Sequence, residues 1–348
     1  MRSSQYVMLR KDNFDGFISR LSKLQKLAAP VAKGHNNFAF EEVSSGEEVA
    51  VNYLPTILPP KKYLMPQRET LLEFNVSKGL ESTPVVEHEK TTIFGVHTCD
   101  MAGIQCLNMV FSTRPRDFNY LTRKEGTTVI GLECNDYCDE YASCALVNAN
   151  LPHGGYDLFF TDMGEYFVIH VNTQAGEEII EAAKFFEDAN GEQLQALASL
   201  RKKKREIFKN EAPIDPRKIR LLFDKSFDSK VWDELGERCL ACGNCTNVCP
   251  TCYCFDVKDE MNLDLKSGKR YRVWDSCQSE PFASVAGNHN FRKERADRQK
   301  HRYYRKFRYP VDKYHRLFCT GCGRCSRTCM AGIRLKETLN ALIKEQAK

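Results

Sequence analysis

C-L-A-C-G-N-C-T-N-V-C-P, residues 239–250, decides the fold of this chain together with its repeat C-T-G-C-G-R-C-S-R-T-C-M, residues 319–330. Both runs place four cysteines with the spacing C-x2-C-x2-C-x3-C. Three closely spaced thiolates on a tight loop can hold three corners of an iron–sulfur cube, and in two-cluster ferredoxins the fourth cysteine ligates the other cube. The repeat therefore predicts two 4Fe-4S clusters that exchange their last ligands.

The exchange gives each cluster a defined set of four cysteines. One set is Cys239, Cys242, Cys245 and Cys329, and the other is Cys319, Cys322, Cys325 and Cys249. Gly243 and Gly323 occupy the same place in each run, where the missing side chain lets backbone N–H groups approach the inorganic sulfides. We also expect the fourth cysteine of each run to start a helix that leads away from the loop.

Three other uses of clustered cysteines fit this pattern less well. Structural zinc is usually held by two CxxC pairs, whereas each run carries four cysteines within eleven residues. Disulfides need an oxidising compartment, and the stretch from Met1 to Pro30 lacks the apolar core of a signal peptide. A thioredoxin-type site needs a single CxxC near a βαβ unit. Iron–sulfur ligation is therefore the prediction that the pattern favours.

Length and composition indicate an ordinary globular protein with two domains. The chain has 348 residues, of which 42% are hydrophobic and 28% charged. Eleven of its sixteen cysteines follow residue 238, far more than packing requires. No apolar run approaches the roughly eighteen residues of a membrane span. We expect a cytoplasmic protein without a membrane span, divided into residues 1–212 and 213–348 by Pro213 and Pro216.

The first domain is predicted to be α/β. T-T-I-F-G-V-H (residues 91–97) and T-T-V-I-G-L (residues 127–132) resemble buried strands with a helix between them, which is typical of neighbouring parallel strands. Cys99 and Cys134 follow these strands, so both thiols would lie at one edge of the sheet. With Cys138 and Cys144 they are candidate ligands of a third iron–sulfur cluster. Because C-x3-C-x5-C is not a standard ligand run, thiols that are simply buried remain the alternative.

The second domain is predicted to be entirely helical. Residues 217–237 and 335–348 flank the two cysteine runs and have helical patterns, and the 69 residues between the runs exceed what a small bacterial ferredoxin contains. The predicted fold class is α+β: an N-terminal α/β domain is followed by an all-helical ferredoxin-like domain that holds two 4Fe-4S clusters between helix pairs.

Several further motifs resemble a known family. C-P-T-C-Y-C-F-D-V (249–257), R-V-W-D-S-C (272–277) and H-N-F-R (289–292) look like the β subunit of soluble NiFe hydrogenases that also reduce sulfur, the sulfhydrogenases. The A subunit of anaerobic sulfite reductase is similar. L-P-P-K-K-Y-L-M-P-Q, G-V-H-T-C-D and G-Y-D-L-F-F-T-D extend the resemblance over nearly the whole chain, although His97 stands where the family often has arginine.

The resemblance implies an electron-transfer subunit of an oxidoreductase complex. Its implied partners are a flavoprotein subunit that binds NAD(P)H and a catalytic subunit that is a hydrogenase or reduces sulfur or sulfite. A heterodisulfide-reductase-like or sulfite-reducing complex is the alternative within this class. The residues agree with a relay, because no G-x-G-x-x-G follows a strand and no catalytic site is evident in the chain itself.

Cysteines outside the two runs leave another function open. Cys252 and Cys254 directly follow the first run, and Cys277 lies further along. They could pack, replace a ligand, or act on sulfur compounds, in which case the chain would be a sulfur-compound reductase.

Two groups of basic residues bear on the clusters. Arg324 and Arg327 lie inside the second run and predict a higher reduction potential for its cluster, unless both face solvent. Residues 291–308 contain nine lysines and arginines, which favours a helix that covers anionic clusters or docks on an acidic partner. A net charge of +5 is too small to favour nucleic acid as the partner.

Overall fold

The computed structural model describes residues 5–77, 79–209 and 214–347. Its strands are β1 Tyr6–Arg10, β2 Lys26–Ala32, β3 Phe38–Glu42, β4 Arg68–Asn75, β5 Glu81–Pro84, β6 Thr91–His97, β7 Thr127–Leu132, β8 Leu158–Asp162, β9 Tyr166–Val171, β10 Glu187–Asp188, β11 Phe255–Met261, β12 Ser267–Trp274, β13 Ser284–Val285 and β14 His289–Asn290. Its α-helices are α1 Phe14–Leu24, α2 Thr98–Ser112, α3 Phe118–Glu125, α4 Gln174–Ala183, α5 Gly191–Ile207, α6 Ile219–Lys225, α7 Val231–Arg238, α8 Asn244–Asn247, α9 Arg295–Phe307, α10 Tyr309–Tyr314, α11 Arg324–Arg327 and α12 Leu335–Gln346.

An eight-stranded mixed sheet organises the first part of the chain. Its strand order is β10-β1-β9-β8-β7-β6-β2-β3, with the parallel strands β2, β6, β7 and β8 at its centre. The predicted parallel pairing is confirmed, because β6 and β7 are paired from Thr91 opposite Thr127 to His97 opposite Leu132, with one shift of register between Phe94 and Val96. The two strands therefore end side by side, and the chain segments that carry Cys99 and Cys134 leave the sheet at the same edge.

The core of this sheet is aromatic. Every residue of β6 is buried, as expected for a parallel strand that is covered on both faces. Phe94 of β6 contacts Phe14 and Phe17 of α1, with ring centroids 5.5 and 6.5 Å apart, and Phe160 of β8 at 5.3 Å. Such aromatic pairs add roughly 0.5–1.5 kcal/mol each to the burial of their area, so the ends of β6 and β7 have a rigid foundation.

A second sheet joins the two parts of the chain and overturns one prediction. Its order is β11-β12-β4-β5, so strands from residues 68–84 pair with strands from residues 255–274. The region after residue 213 is therefore not all-helical. The reason is that β12, which pairs with β11, completes its backbone hydrogen bonds on β4, a partner nearly two hundred residues away that local patterns do not reveal. The division at 212/213 lies outside the described residues and stays a prediction.

A second hydrophobic core lies around the cysteine runs. Phe223 of α6 stacks on Phe307 of α9 with centroids 5.1 Å apart, and it meets the edge of Tyr304 at 5.4 Å. Trp232 of α7 and Leu339 of α12 are buried in the same core. The helix predicted after the second run is confirmed as α12. Among the described residues, no helix combines the length and apolar character that crossing a membrane requires.

Candidate iron–sulfur site

The two cysteine runs adopt the same backbone conformation. Gly243 and Gly323 have φ values of +75° and +73°, a region that side chains disfavour. Each glycine precedes a four-residue helix, α8 or α11, which carries the third cysteine of its run. The fourth cysteine follows that helix and does not start one, contrary to expectation, because a single turn between the third and fourth cysteines already reverses the chain. The backbone N–H of Ala241 points at Cys239 Sγ, 3.3 Å away, and the backbone N–H of Gly321 points at Cys319 Sγ, 3.4 Å away.

A cavity lies at the first run. It contains about 430 Å³ of space free of atoms and is lined by Cys239, Cys242, Cys245 and Cys329. Three of these thiols come from the first run and the fourth from the second run. The structure therefore brings together the four cysteines that the sequence assigns to one cluster.

A matching cavity lies at the second run. It contains about 440 Å³ of space free of atoms and is lined by Cys319, Cys322, Cys325 and Cys249. Again three thiols belong to one run and the fourth to the other. Cys325 also borders the first cavity, so the two cavities are neighbours.

Buried polar atoms without partners line both cavities. Arg302, whose Nε–H donor lacks a partner, lines both cavities, and Thr320, whose hydroxyl lacks a partner, lines the second; neither of these atoms forms a hydrogen bond within the described residues. Leaving such atoms unpaired costs roughly 1–3 kcal/mol each, so their convergence here indicates space for a polar, anionic group. A cluster with thiolate and sulfide ligands fits that requirement.

The chemistry of the thiols also fits a metal cluster. Burial raises the pKa of Cys245 to about 12 and raises the pKa values of Cys319 and Cys322 as well. Bare thiolates are therefore unfavourable here, and iron must displace the protons before the sulfurs can act as ligands. No three His, Cys, Asp or Glu side chains in the described part of the chain are gathered tightly enough for a single metal ion.

Comparisons with known proteins agree with this geometry. A family model described as a 4Fe-4S dicluster domain matches residues 238–333. The chain is also 35% identical over 337 residues to the sulfhydrogenase 2 subunit beta of Pyrococcus furiosus, an alignment that covers 97% of this chain and 98% of that protein. The chain belongs to the sulfhydrogenase β-subunit family. A 4Fe-4S dicluster domain and membership of this family support an iron–sulfur electron-transfer role.

In the present chain, side chains of helix α9 line both cavities and separate them. Gln299 donates to Cys239 Sγ over 2.9 Å, Arg302 borders both cavities, and Lys306 donates to Thr251 Oγ1 and Cys252 Sγ over 2.7 and 3.2 Å. Within the described residues, neither Arg302, which is buried, nor Lys306, which is partly buried, forms an ion pair with a carboxylate. The sequence indicated a basic helix over anionic clusters, and the spacing 299, 302, 306 could have identified which residues face inward.

The sequence predicted a higher reduction potential for the cluster of the second run because Arg324 and Arg327 would place positive charge beside it. In the structure, both of these charges are compensated. Arg324 is fully buried and forms a bidentate pair with Asp100, with N–O distances of 2.6 and 2.7 Å. Arg327 pairs with Asp139. Neither arginine therefore presents an uncompensated positive charge to the second cavity, and Arg324 does not face solvent. Instead, Arg324 attaches the second run to helix α2, and Arg327 attaches it to the loop after β7.

Cys252, Cys254 and Cys277 lie beside the cavities but do not line them. Cys252 is hydrogen-bonded to Cys249 and contacts Lys306. A hydrogen bond from Cys254 lowers the pKa of Cys277 to about 6, and Cys277 is only 5% exposed. Cys106 is buried within α2.

The remaining four cysteines of this chain lie in its first part, near the large sheet. Cys99 is in the first turn of α2, and Cys134, Cys138 and Cys144 occupy the loop that follows β7. This loop packs on the second run, where Ser143 N donates to Gly321 O over 2.7 Å. The third set of predicted ligands is thus next to the second cavity.

Proposed function

We propose that this chain is the iron–sulfur electron-transfer subunit of a multi-subunit oxidoreductase. It relays electrons between a flavoprotein subunit that binds NAD(P)H and a catalytic subunit of the hydrogenase or sulfur-reducing type. The name of its relative, sulfhydrogenase 2 subunit beta, supports a place in a hydrogenase complex. When bound, each cube takes up or releases one electron at a time.

One observation carries the proposal: each of two neighbouring cavities is lined by the first three cysteines of one run and the last cysteine of the other, and Cys325 also borders the first cavity. A protein with a single metal site would need only one such run. The repeated spacing therefore supports two sites. Cys239, Cys242, Cys245 and Cys329 would hold one cluster, and Cys319, Cys322, Cys325 and Cys249 the other.

The chain's own residues prepare both sites for a change of charge. The buried Arg302 and the partly buried Lys306 place positive charge beside the cavities, which favours the extra negative charge that reduction brings. Tyr303, Phe307 and Leu335 line the second cavity and exclude water, so this charge is weakly screened. Their packing also fixes the cavity walls, which limits the reorganisation that accompanies each electron.

The experiment tests whether the chain connects two half reactions. The tagged protein is purified anaerobically with its partner subunits, which are identified by mass spectrometry. Hydrogen-dependent reduction of NAD(P)⁺ is then compared with the two half reactions, hydrogen to viologen and NAD(P)H to viologen. Cys242→Ser should abolish the overall reaction while both half reactions persist.

Cys106→Ala is the matched control, because it also removes a cysteine but lies outside both cavities. It should leave the overall reaction unchanged. Equal overall rates in Cys242→Ser and the unsubstituted complex would contradict the relay. Co-purification with sulfite-reducing or heterodisulfide-reductase-like subunits in place of a hydrogenase would support the alternative complex.

A sulfur-compound reductase is the second candidate, and the pair Cys254–Cys277 is the observation that favours it. The lowered pKa of Cys277 is that of a reactive thiol, but its burial denies a substrate direct access. We therefore expect Cys277→Ser to leave polysulfide turnover of the intact complex unchanged. A tenfold or greater loss of that turnover, with the hydrogen half reaction intact, would assign the pair a role in sulfur chemistry.

A further inference from the structure

Four cysteines of the first domain form a group of their own. The thiols of Cys134 and Cys138 are hydrogen-bonded, and Cys138 lies within electrostatic range of Cys99 and Cys144. Thr98 Oγ1, next to Cys99, is 3.9 Å from Cys134 Sγ. Cys99 and the three cysteines of the loop after β7 therefore converge at one end of the large sheet.

Rigid elements hold these thiols in place. Cys99 and Cys134 follow the adjacent parallel strands β6 and β7, and crevices at the carboxyl ends of such strands are where open α/β sheets bind ligands. The loop beyond Cys134 is braced by Asp139, whose carboxylate accepts from the backbone N–H groups of Tyr141 and Ala142 and pairs with Arg327. The arrangement is therefore supported on both sides.

An unpartnered histidine independently points to a ligand at this place. His97 is 5% exposed, and its Nδ1 forms no hydrogen bond within the described residues. Its ring stacks on Tyr53 with centroids 4.0 Å apart, which fixes its orientation. His97 lines a cavity together with Cys134 and Cys138; this cavity contains about 1230 Å³ of space free of atoms and is partly open to solvent.

The group adjoins the second cluster cavity. Cys99 is within electrostatic range of Cys322, and a side chain at Gly321 would approach Ser143 O to 2.2 Å and Cys144 N to 2.5 Å. Ala241 occupies the equivalent position in the first run with a similar φ of +54°. Glycine is thus required at this position only in the second run, on which the 134–144 loop packs. This close packing brings the group of four cysteines near the second cluster cavity.

We propose that Cys99, Cys134, Cys138 and Cys144 hold a third iron–sulfur cluster at the carboxyl end of the first-domain sheet. This inference rests on the proposed electron-transfer function and extends the relay by one centre. The order of sites along the protein is the first cavity, the second cavity and then this group. Because the third site opens on a cavity that reaches solvent, it is one end of the relay that a redox partner can approach.

The test is the iron and acid-labile sulfide content of the full-length chain after anaerobic reconstitution. Three 4Fe-4S clusters give about 12 iron and 12 sulfide per chain, whereas two give about 8 of each. We expect about 12 of each for the unsubstituted protein and a loss of about one third in Cys134→Ser/Cys138→Ser. Cys106→Ala, which removes a buried cysteine of α2 outside the group, should lose none.

The outcomes separate this inference from the proposed function. About 8 iron per chain in the unsubstituted protein would overturn the third cluster and leave the two-cluster relay standing, and this result needs no variant to fold. Zinc in place of the additional iron, or an unchanged iron content in the double variant, would also overturn it. If Cys242→Ser loses no iron, the proposed function itself fails. Spin quantitation by electron paramagnetic resonance should show that the remaining clusters of the double variant are unchanged.

Discussion

Replacement of Arg302 by glutamine should lower the reduction potentials of both clusters. Arg302 is the residue of α9 that borders both cavities, it is buried, and among the described residues it has no carboxylate partner. Its positive charge stabilises the additional electron on either cluster. Removing the charge therefore makes reduction less favourable at both sites, in contrast to a variant that affects one run only.

The expected magnitude follows from Coulomb's law. A unit charge about 6 Å from the centre of a cluster, at an effective dielectric constant of about 20, changes the free energy of adding one electron by about 3 kcal/mol. This corresponds to on the order of 100 mV for a one-electron couple. The two cavities share the guanidinium, so we expect each potential to fall by roughly 50–100 mV.

The assay is an anaerobic redox titration followed by electron paramagnetic resonance. Arg302→Lys keeps the charge and should recover most of the shift, which separates an electrostatic effect from a loss of packing. Lys300→Gln is the matched control, because Lys300 is on the same helix but pairs with Asp297 and lines neither cavity. Unchanged potentials in Arg302→Gln, or an equal fall in Arg302→Lys, would refute the electrostatic reasoning.

Three other predictions address packing, ion pairs and pH. Gly321→Ala should destabilise the protein by about 1–3 kcal/mol in thermal unfolding, because its Cβ would collide with the backbone of Ser143 and Cys144. Ala241→Gly, the equivalent change in the first run, should have little effect, and equal effects of the two variants would contradict this packing. Glu69→Gln should cost about 3–5 kcal/mol of unfolding free energy, since the buried guanidinium groups of Arg123 and Arg272 lose their shared carboxylate. Glu260→Gln, at an exposed ion pair, should cost less than about 1 kcal/mol, and similar losses in the two variants would argue against the buried network. Burial and the nearby Arg292 guanidinium lower the pKa of His301 to about 4, so below pH of about 6.5 the unfolded chain binds a proton that the folded chain does not, and stability falls between pH of about 6.5 and 4. His301→Gln should therefore reduce by about 2 kcal/mol the stability lost between pH of about 7 and 5, and an identical pH dependence in both proteins would refute the assignment.

The sequence predicted those features that depend on local spacing. The two cysteine runs each form one loop, so their repeat was sufficient to propose which thiols meet around each cavity. The pairing of β6 with β7 was predictable for the same reason, because a buried strand, a helix and another buried strand in succession have few alternative arrangements.

Features that depend on distant partners could not be predicted. Most of β11 is exposed and rich in charge, so it lacks the alternation that identifies a strand, and its sheet is completed by β4. Arg324 was interpreted by its nearness to cysteines in sequence, whereas its charge is compensated by Asp100, 224 positions away. Arg302 was noticed only as part of a basic segment. The helical spacing of residues 299, 302 and 306 is consistent with an inward-facing Arg302, but its place between the cavities follows from the packing of α9 on α7, a contact between distant segments.

The ligand exchange between the two runs is tested most directly by Cys249→Ser. Electron paramagnetic resonance spectra of this variant are compared with those of Cys322→Ser and Cys242→Ser, which alter the second and the first cluster respectively. Although Cys249 belongs to the first run, the exchange predicts that its replacement perturbs the same signal as Cys322→Ser. A spectrum that matches Cys242→Ser, or a protein that contains zinc and no iron, would contradict the account.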